Sequence, residues 1–132
     1  MSSKTVRPHY VGWKAVKLAA KNVAAKIELI LPCTVYAVPR GGFMALYLLR
    51  QMLHPGTEIV FRPEVADMIV DDICDRGETF SKFPNQTKVA LFVRQGSESC
   101  CDHFGRVVKT SSYIVFPWEP LEEVQEESQR WA

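Results

Sequence analysis

The strongest chemical feature of the sequence is a cluster of acids. The chain contains five aspartates, and four of them lie within nine residues: Asp67, Asp71, Asp72 and Asp75. The mostly apolar segment Ala66–Val70 predicts a strand that ends directly before Asp71 and Asp72. Because adjacent side chains on a strand point to opposite faces, both carboxylates can reach one ligand only at the strand end. Such a pair can accept hydrogen bonds from a vicinal diol or hold a hydrated Mg²⁺.

The residues that follow the acids predict an anion site. The segment Asp75–Thr79 contains Gly77 and leads to a predicted helix start, and Pro84 and Asn85 keep that helix short. Backbone N–H groups, the positive end of a helix and the Thr79 hydroxyl together favour a phosphate. Diol-binding acids followed at once by a phosphate-binding turn predict a site for a ribose 5-phosphate. The alternative is an acidic turn without a ligand, which is disfavoured because clustered like charges destabilise the fold unless a ligand uses them.

Three segments, in order along the chain, resemble one known family. Val70–Thr79 resembles the phosphoribosyl-diphosphate (PRPP) signature of the type I phosphoribosyltransferases. Val35–Gly42 resembles that family's first strand and pyrophosphate loop, and Tyr113–Glu119 resembles the base-binding stretch of its xanthine-guanine and hypoxanthine-guanine branch. The resemblance implies an enzyme of purine salvage. Such an enzyme transfers the 5-phosphoribosyl group from PRPP to a 6-oxopurine (guanine, xanthine or hypoxanthine) and releases pyrophosphate, with Mg²⁺ as cofactor.

The resemblance also implies which residues bind PRPP. Asp71 and Asp72 would bind the ribose hydroxyls and Mg²⁺, and the backbone of Arg40 and Gly41 would bind the pyrophosphate, in the family through a strained or cis peptide. The 5-phosphate would lie on five consecutive residues, Asp75, Arg76, Gly77, Glu78 and Thr79. The implied catalytic residues are Asp75, as general base or charge stabiliser beside the purine, and Arg40, which would neutralise the leaving pyrophosphate.

Three residues are implied for the base: Arg94, Tyr113 and Ile114. Tyr113 matches the aromatic residue that stacks on the purine, and Ile114 would offer backbone contacts to the ring edge. Arg94 aligns with a lysine that in the family donates to the exocyclic oxygen, and an arginine can also donate there. Packing in the core is the alternative for Tyr113 and is the favoured interpretation for Trp118.

Two departures from the family pattern leave the function open. Arg76 stands where the phosphate turn usually has Thr or Ser, and it either adds a charge to the site or points outward. Only Arg62–Val65 separate the predicted strands Ile59–Phe61 and Ala66–Val70, where the family inserts a flexible hood that excludes water. The alternative function is therefore a non-catalytic PRPP- or nucleotide-binding or regulatory protein. An enzyme with another acceptor base is a third possibility.

The elements that must position these residues alternate between helices and strands. Strands are predicted at Thr34–Val38, Ile59–Phe61, Ala66–Val70, Val89–Val93 and Val107–Val108, with an amphipathic first helix and a second helix at Phe43–Leu53. Apolar, β-branched strands without polar alternation favour a parallel sheet covered on both faces. The sequence therefore predicts an α/β fold with a mostly parallel twisted sheet and helices on both faces. The resemblance implies that residues 1–132 form a single phosphoribosyltransferase-like domain with a truncated hood.

Composition and charge argue against a membrane, a secreted or a fibrous protein. The chain has 132 residues, 47% hydrophobic and 23% charged, and no apolar run approaches the length of a membrane span. Lys14, Lys17 and Lys21 share one face of the first helix and are interpreted as its solvated side, not as a nucleic-acid arm or transit peptide. The acidic end of the chain is interpreted in the same way, as a solvated surface helix.

The cysteines suggest the cellular compartment, and the truncated hood suggests the oligomeric state. The four cysteines have neither a CxxC pair nor zinc-ligand spacing, and indicate reduced thiols in a cytoplasmic protein. A homo-oligomer, dimer or tetramer, is expected because a second subunit can cover a site that lacks a hood. Neither nucleic acid nor a membrane is among the expected partners.

Overall fold

The computed structural model describes residues 8–27 and 33–120, and its centre is a five-stranded parallel sheet. The elements are β1 (His9–Tyr10), α1 (Trp13–Ile27), β2 (Thr34–Ala37), α2 (Gly41–Leu49), β3 (Glu58–Ile59), β4 (Met68–Cys74), β5 (Thr87–Arg94), β6 (His103–Val108) and β7 (Ile114–Val115). Three-residue 3₁₀ turns lie at Pro63–Val65, Phe80–Lys82 and Glu98–Cys100. The sheet order is β3-β2-β4-β5-β6, and β1 and β7 form a separate parallel pair. The predicted α/β class with a mostly parallel sheet is confirmed.

The two faces of the sheet are covered unequally. Both described α-helices, α1 and α2, pack on one face, against a core that includes Val70, Val89 and Leu91. On the opposite face Ile69 and Ala90 pack with Phe80, which belongs to a 3₁₀ turn. The chain between β4 and β5 is too short for an α-helix because Pro84 and Asn85 follow this turn almost at once. Helices were predicted on both faces; within residues 8–27 and 33–120 the α-helices cover one face of the sheet, and short 3₁₀ turns cover the other.

Helix α1 has the predicted amphipathic pattern. Val16, Ala20, Val23 and Ile27 are buried, and the three lysines at 14, 17 and 21 are exposed. None of the helices within residues 8–27 and 33–120 has both the length and the apolar character needed to cross a bilayer. All four cysteines are free thiols, as expected. The predicted acidic surface helix at the end of the chain lies outside the described residues.

Several element boundaries differ from the sequence prediction. Strand β4 continues to Cys74 because its pairing with β5 continues to Val93, so β4 includes the acids that were expected to follow it. Helix α2 begins earlier and ends earlier than predicted, at Gly41 and Leu49. Strand β3 ends at Ile59, before Phe61, because it lies at the edge of the sheet and pairs with only one neighbour. Strands β5 and β6 are longer than predicted.

Candidate functional site

The acid pair lies inside β4 but beyond the end of its neighbour β2. The pairing of β2 with β4 ends at Ala37 and Val70, whereas β4 continues past Asp71 and Asp72 alongside β5. The expectation that both acids follow the end of their own strand is therefore wrong. Beyond Val70, β4 has a strand neighbour on the β5 side only, and on the other side the loop that starts α2 takes the place of β2. The two acids therefore lie at a step between neighbouring strands.

The carboxyl groups of this pair are partly buried, and each accepts a hydrogen bond from the backbone N–H of the next residue. The N–H of Asp72 donates to Asp71 Oδ1 at 2.8 Å, and the N–H of Ile73 donates to Asp72 Oδ1 at 2.7 Å. Burial, and secondly the neighbouring Asp72 carboxylate, raises the pKa of Asp71 to about 9. Burial also raises the pKa of Asp72. A ligand that brings a cation or hydroxyl donors would stabilise the charged forms.

The donor set of the acid pair fits Mg²⁺ as a partial site. Two carboxylates are hard oxygen ligands, and Mg²⁺ is commonly held by one or two of them together with substrate phosphates and water. In the part of the chain that the structure describes, no group of three or more His, Cys, Asp or Glu side chains is arranged to hold a metal ion. The remaining ligands of a bound Mg²⁺ would therefore come from a substrate and from water.

The loop that leads into α2 lies directly on the acid pair. A methyl group added to Gly41 would overlap the carboxyl group of Asp72, so only glycine allows this approach. The preceding residue, Arg40, is exposed, and the peptide bond between Pro39 and Arg40 is cis. The structure thus brings the predicted pyrophosphate loop and the predicted diol-binding acids together.

The segment that follows β4, named here the 75–79 loop (Asp75–Thr79), forms a cavity of about 230 Å³. The lining residues are Asp71, Ile73, Cys74, Asp75, Arg76, Gly77, Glu78, Thr79 and Phe80. Gly77 has φ +82°, a conformation that favours glycine, and this turns the chain around the cavity. All five residues that the resemblance assigned to the 5-phosphate line this one cavity.

Two features of the 75–79 loop correct or refine the sequence prediction. The predicted helix start after Thr79 is a three-residue 3₁₀ turn, Phe80–Lys82, so no α-helix dipole contributes there. The side chain of Arg76 is 74% exposed and lies 3.9 Å from Glu78, also exposed. Arg76 therefore lies at the rim of the cavity, where its charge is paired with Glu78 and largely solvated.

The turn after β5 supports the 75–79 loop from outside, which the sequence did not indicate. Ser97 Oγ donates to the carbonyl oxygen of Asp75 at 2.6 Å. A methyl group on Gly77 would lie 2.7 Å from Cys100 Sγ, so the loop packs on that cysteine. No motif in the polar stretch 95–102 marks these residues, because their role depends only on which strand lies beside β4.

Arg94, the last residue of β5, joins the two predicted halves of the site. Its Nε donates to Asp75 Oδ1 at 2.9 Å and its Nη2 to Asp75 Oδ2 at 3.2 Å. Its Nη1 donates to the carbonyl oxygens of Thr110 and Ser112 at 2.7 and 2.8 Å. The predicted catalytic acid and the predicted base donor therefore bind each other.

The predicted base-binding residues Tyr113 and Ile114 lie just after these two carbonyls. The Tyr113 hydroxyl donates to Glu119 Oε2 at 2.6 Å, and Glu119 Oε1 accepts from the N–H of Phe116 at 3.1 Å. The Ile114 side chain is buried in the core, and Ile114 pairs in register with His9. In this parallel pairing the backbone of His9 forms hydrogen bonds with the residues on either side of Ile114. The N–H and C=O of Ile114 therefore face away from β1.

Trp118 has the packing role that the sequence favoured. Its ring stacks on Phe116 with centroids 4.8 Å apart and an angle of 6° between the ring planes. Its ring also lies 5.9 Å from that of Trp13 at the start of α1. These contacts fix the segment that carries Glu119.

Comparison with known proteins gives matches among solved structures alone: no family model and no curated protein matches the chain. A purine phosphoribosyltransferase from Pyrococcus horikoshii Ot3 is 20% identical with a TM-score of 0.66, over 85% of this chain and 94% of that one. The xanthine-guanine-hypoxanthine phosphoribosyltransferase of Helicobacter pylori is 16% identical with a TM-score of 0.65, over 92% and 99%.

A third similar structure is a hypothetical protein from Neisseria gonorrhoeae with bound ppGpp. It is 15% identical with a TM-score of 0.67, and the match covers 98% of this chain and 100% of that one. At such identities a structural likeness establishes the fold. The chain described here thus has the fold of the type I phosphoribosyltransferases, in the form seen in purine phosphoribosyltransferases.

Proposed function

We propose that this protein transfers the 5-phosphoribosyl group from PRPP to a 6-oxopurine and releases pyrophosphate. The observation that carries the proposal is the cavity of the 75–79 loop, which Asp71, one of the two partly buried acids, also lines. A cavity of about 230 Å³ beside the acid pair matches a ribose that carries a 5-phosphate and two hydroxyls. The purine phosphoribosyltransferases of similar structure support the choice of the acceptor class.

In the proposed reaction a purine ring nitrogen forms a bond to the ribose anomeric carbon while the bond from that carbon to pyrophosphate breaks. The state between them has oxocarbenium character, so Asp71 and Asp72 would favour the charge that develops on the sugar. The backbone of Arg40 and Gly41, with the Arg40 side chain, would stabilise the departing pyrophosphate. Asp75 would accept the proton that the imidazole part of the purine loses as its ring nitrogen bonds to the sugar. The 75–79 loop and Tyr113 would hold the two reactants in line.

Mg²⁺ is part of the proposal, with Asp71 and Asp72 as its protein ligands. When bound, it would neutralise charge on the pyrophosphate that leaves. The pKa of Asp71, raised to about 9, supports this assignment because a cation would stabilise the charged pair that burial otherwise disfavours.

The test is pyrophosphate release with PRPP, Mg²⁺ and one base at a time: guanine, xanthine, hypoxanthine, adenine, uracil and orotate. We expect release with at least one 6-oxopurine, with the matching nucleotide identified by chromatography, and no release with the pyrimidines. Release with adenine or a pyrimidine alone would show a phosphoribosyltransferase with another acceptor. Absence of release with all six bases would contradict the proposal.

A second candidate is a non-catalytic protein that binds PRPP or a nucleotide for regulation. It is favoured by the connection between β3 and β4, which consists only of residues 60–67 and includes the strongly exposed Phe61, so that this connection is too short to form a hood. The Neisseria gonorrhoeae protein with bound ppGpp gives an instance of a nucleotide on this fold. Calorimetry with PRPP, GMP and ppGpp tests it: tight binding of any of them, without pyrophosphate release, would favour this second function.

The proposed enzyme works as a homo-oligomer. An apolar surface lies near the edge strand β3, with Phe43, Tyr47, Ile59 and Phe61 all exposed. A second subunit that covers such a surface would bury apolar area and shield the site from water. Sedimentation equilibrium measures this directly, and a monomer at micromolar concentration would contradict it.

A further inference from the structure

We propose that Arg94 is a positioning residue that fixes the 75–79 loop relative to the base-binding segment, and not the donor that recognises the base. This inference rests on the proposed function, since it concerns where a purine and a ribose 5-phosphate would meet. It replaces the direct contact that the resemblance implied for Arg94.

The hydrogen bonds of Arg94 connect three separate parts of the chain. The residue ends β5, its partner Asp75 follows β4, and the carbonyl oxygens of Thr110 and Ser112 precede β7. The four distances lie between 2.7 and 3.2 Å, and the Arg94 side chain is only 12% exposed. A planar guanidinium has a fixed geometry, so these bonds define one distance between the loop and the segment.

The same bonds make a direct contact with the base unfavourable. A guanidinium has five N–H groups, and the bonds to Asp75 and the two carbonyls use four of them. If Arg94 turned toward a purine oxygen, a carboxylate and two carbonyls in a partly buried region would lose their donors. Such losses are destabilising, and a single new hydrogen bond would not offset them.

The linkage also gives Arg94 a route to catalysis. Asp75 begins the loop that would hold the 5-phosphate, and Ser112 directly precedes Tyr113, which would stack on the purine. Small misplacements between reacting atoms reduce rates strongly. Loss of the linkage should therefore lower turnover with every base by a similar factor, whereas loss of a base donor would act on 6-oxopurines selectively.

The central variant is Arg94→Lys. A lysine keeps the charge and can donate to an exocyclic oxygen, but it cannot form the bidentate pair and both carbonyl bonds together. Arg106→Lys, at an exposed position on β6, is the matched control. Three quantities are measured for each: the dissociation constants of GMP and AMP, kcat and KM for the accepted base, and hydrogen exchange of residues 75–79 and 110–113 without ligand.

We expect Arg94→Lys to weaken the binding of GMP and of AMP by similar factors, about tenfold each. The decrease in kcat should be larger than the increase in KM. Exchange in both segments should become faster, and Asp75→Asn should add little to Arg94→Lys because the two changes break one linkage. The proposal would be overturned if Arg94→Lys lost much more affinity for GMP than for AMP, or if its hydrogen exchange in the two segments stayed at the wild-type rate.

The measurements distinguish failure of the proposed function from failure of this inference. If the wild-type protein binds neither PRPP nor any purine nucleotide, the proposed function fails. The exchange measurement needs no ligand, and faster exchange of both segments in Arg94→Lys would still support the linkage. Unchanged exchange would overturn it.

Discussion

The acid side of the site, from Asp71 to Thr79, and the base side, from Arg94 to Glu119, are built in different ways. On the acid side, one of two partly buried carboxyls lines an open cavity, and the pKa of this residue, Asp71, is raised to about 9. On the base side, Arg94 and Glu119 hold their partners by short hydrogen bonds within the protein. The difference suggests that one side depends on its ligand for charge balance, whereas the other is already arranged before a ligand binds.

The largest effect is expected from the double variant Asp71→Asn plus Asp72→Asn. Without these charges the site has no carboxylate pair for Mg²⁺ or the ribose hydroxyls, so Mg²⁺-dependent PRPP affinity should fall on the order of 100-fold. Isothermal titration calorimetry with and without Mg²⁺ measures the change. Glu64→Gln, which alters an exposed acid, is the control.

The same double variant should keep its stability. Partial burial and mutual repulsion make it unfavourable for both neighbouring carboxyls to be charged. Replacement by neutral amides removes this repulsion. We therefore expect the melting temperature to be unchanged or higher. A lower melting temperature would mean that the acids stabilise the fold, and unchanged PRPP affinity would contradict their assignment as ligands.

The next effect concerns the backbone of the 75–79 loop. Gly77→Ala combines a positive φ with a close contact to Cys100, whereas Gly96→Ala has a similar φ of +98° and nothing within 4 Å of the added methyl. Gly96→Ala should lower the free energy of unfolding by about 1 kcal/mol, and Gly77→Ala by about 2–3 kcal/mol. Urea unfolding measures both variants. Equal losses of unfolding free energy would show that the Cys100 side chain can move aside at little cost.

A smaller effect is expected from Tyr113→Ala on the base side. Loss of the stacking ring should weaken purine nucleotide binding about tenfold and change PRPP affinity much less. Competition binding with GMP and PRPP separates the two ligands, with Leu18→Ala, which alters an exposed apolar residue of α1, as control. Equal losses for both ligands, or none, would argue that Tyr113 only packs.

The smallest effect is expected from Glu119→Gln. The glutamate accepts from both the Tyr113 hydroxyl and the Phe116 N–H, and a glutamine has only one carboxamide oxygen to accept with. GMP affinity should fall about threefold, and Tyr113→Phe should have a similar effect. If the two changes together are additive, the hydroxyl and the carboxylate act independently, and the base side is less organised than we infer.

Much of the acid side could be predicted from the sequence because its residues are consecutive. The run Asp71 to Thr79 contains the acids, the glycine and the hydroxyl within one segment, and local order alone places them together. Its error was also local: the apolar run ends at Val70, but β4 continues because β5 remains beside it. Hydrogen bonding to a neighbour extends a strand beyond its apolar residues.

The base side shows what a linear pattern omits. Arg94, Tyr113 and Ile114 were each expected to contact a base, and nothing local in the sequence indicates that Arg94 binds Asp75 and the carbonyls of Thr110 and Ser112. Ser97, Cys100 and Glu119 were missed for the same reason. Their contacts come from segments that meet only after the sheet has formed.

The sequence by itself determined the alternation of helices and parallel strands, the acid cluster, the glycine turn and the short connection between β3 and β4. These depend on side-chain type and spacing along one chain segment. Only the tertiary structure decided that the acids lie beyond the end of β2 and beneath the loop that starts α2, that Arg76 is exposed beside Glu78 and that Arg94 joins both halves of the site. These depend on strand order and register, which bring residues together that are distant in the sequence.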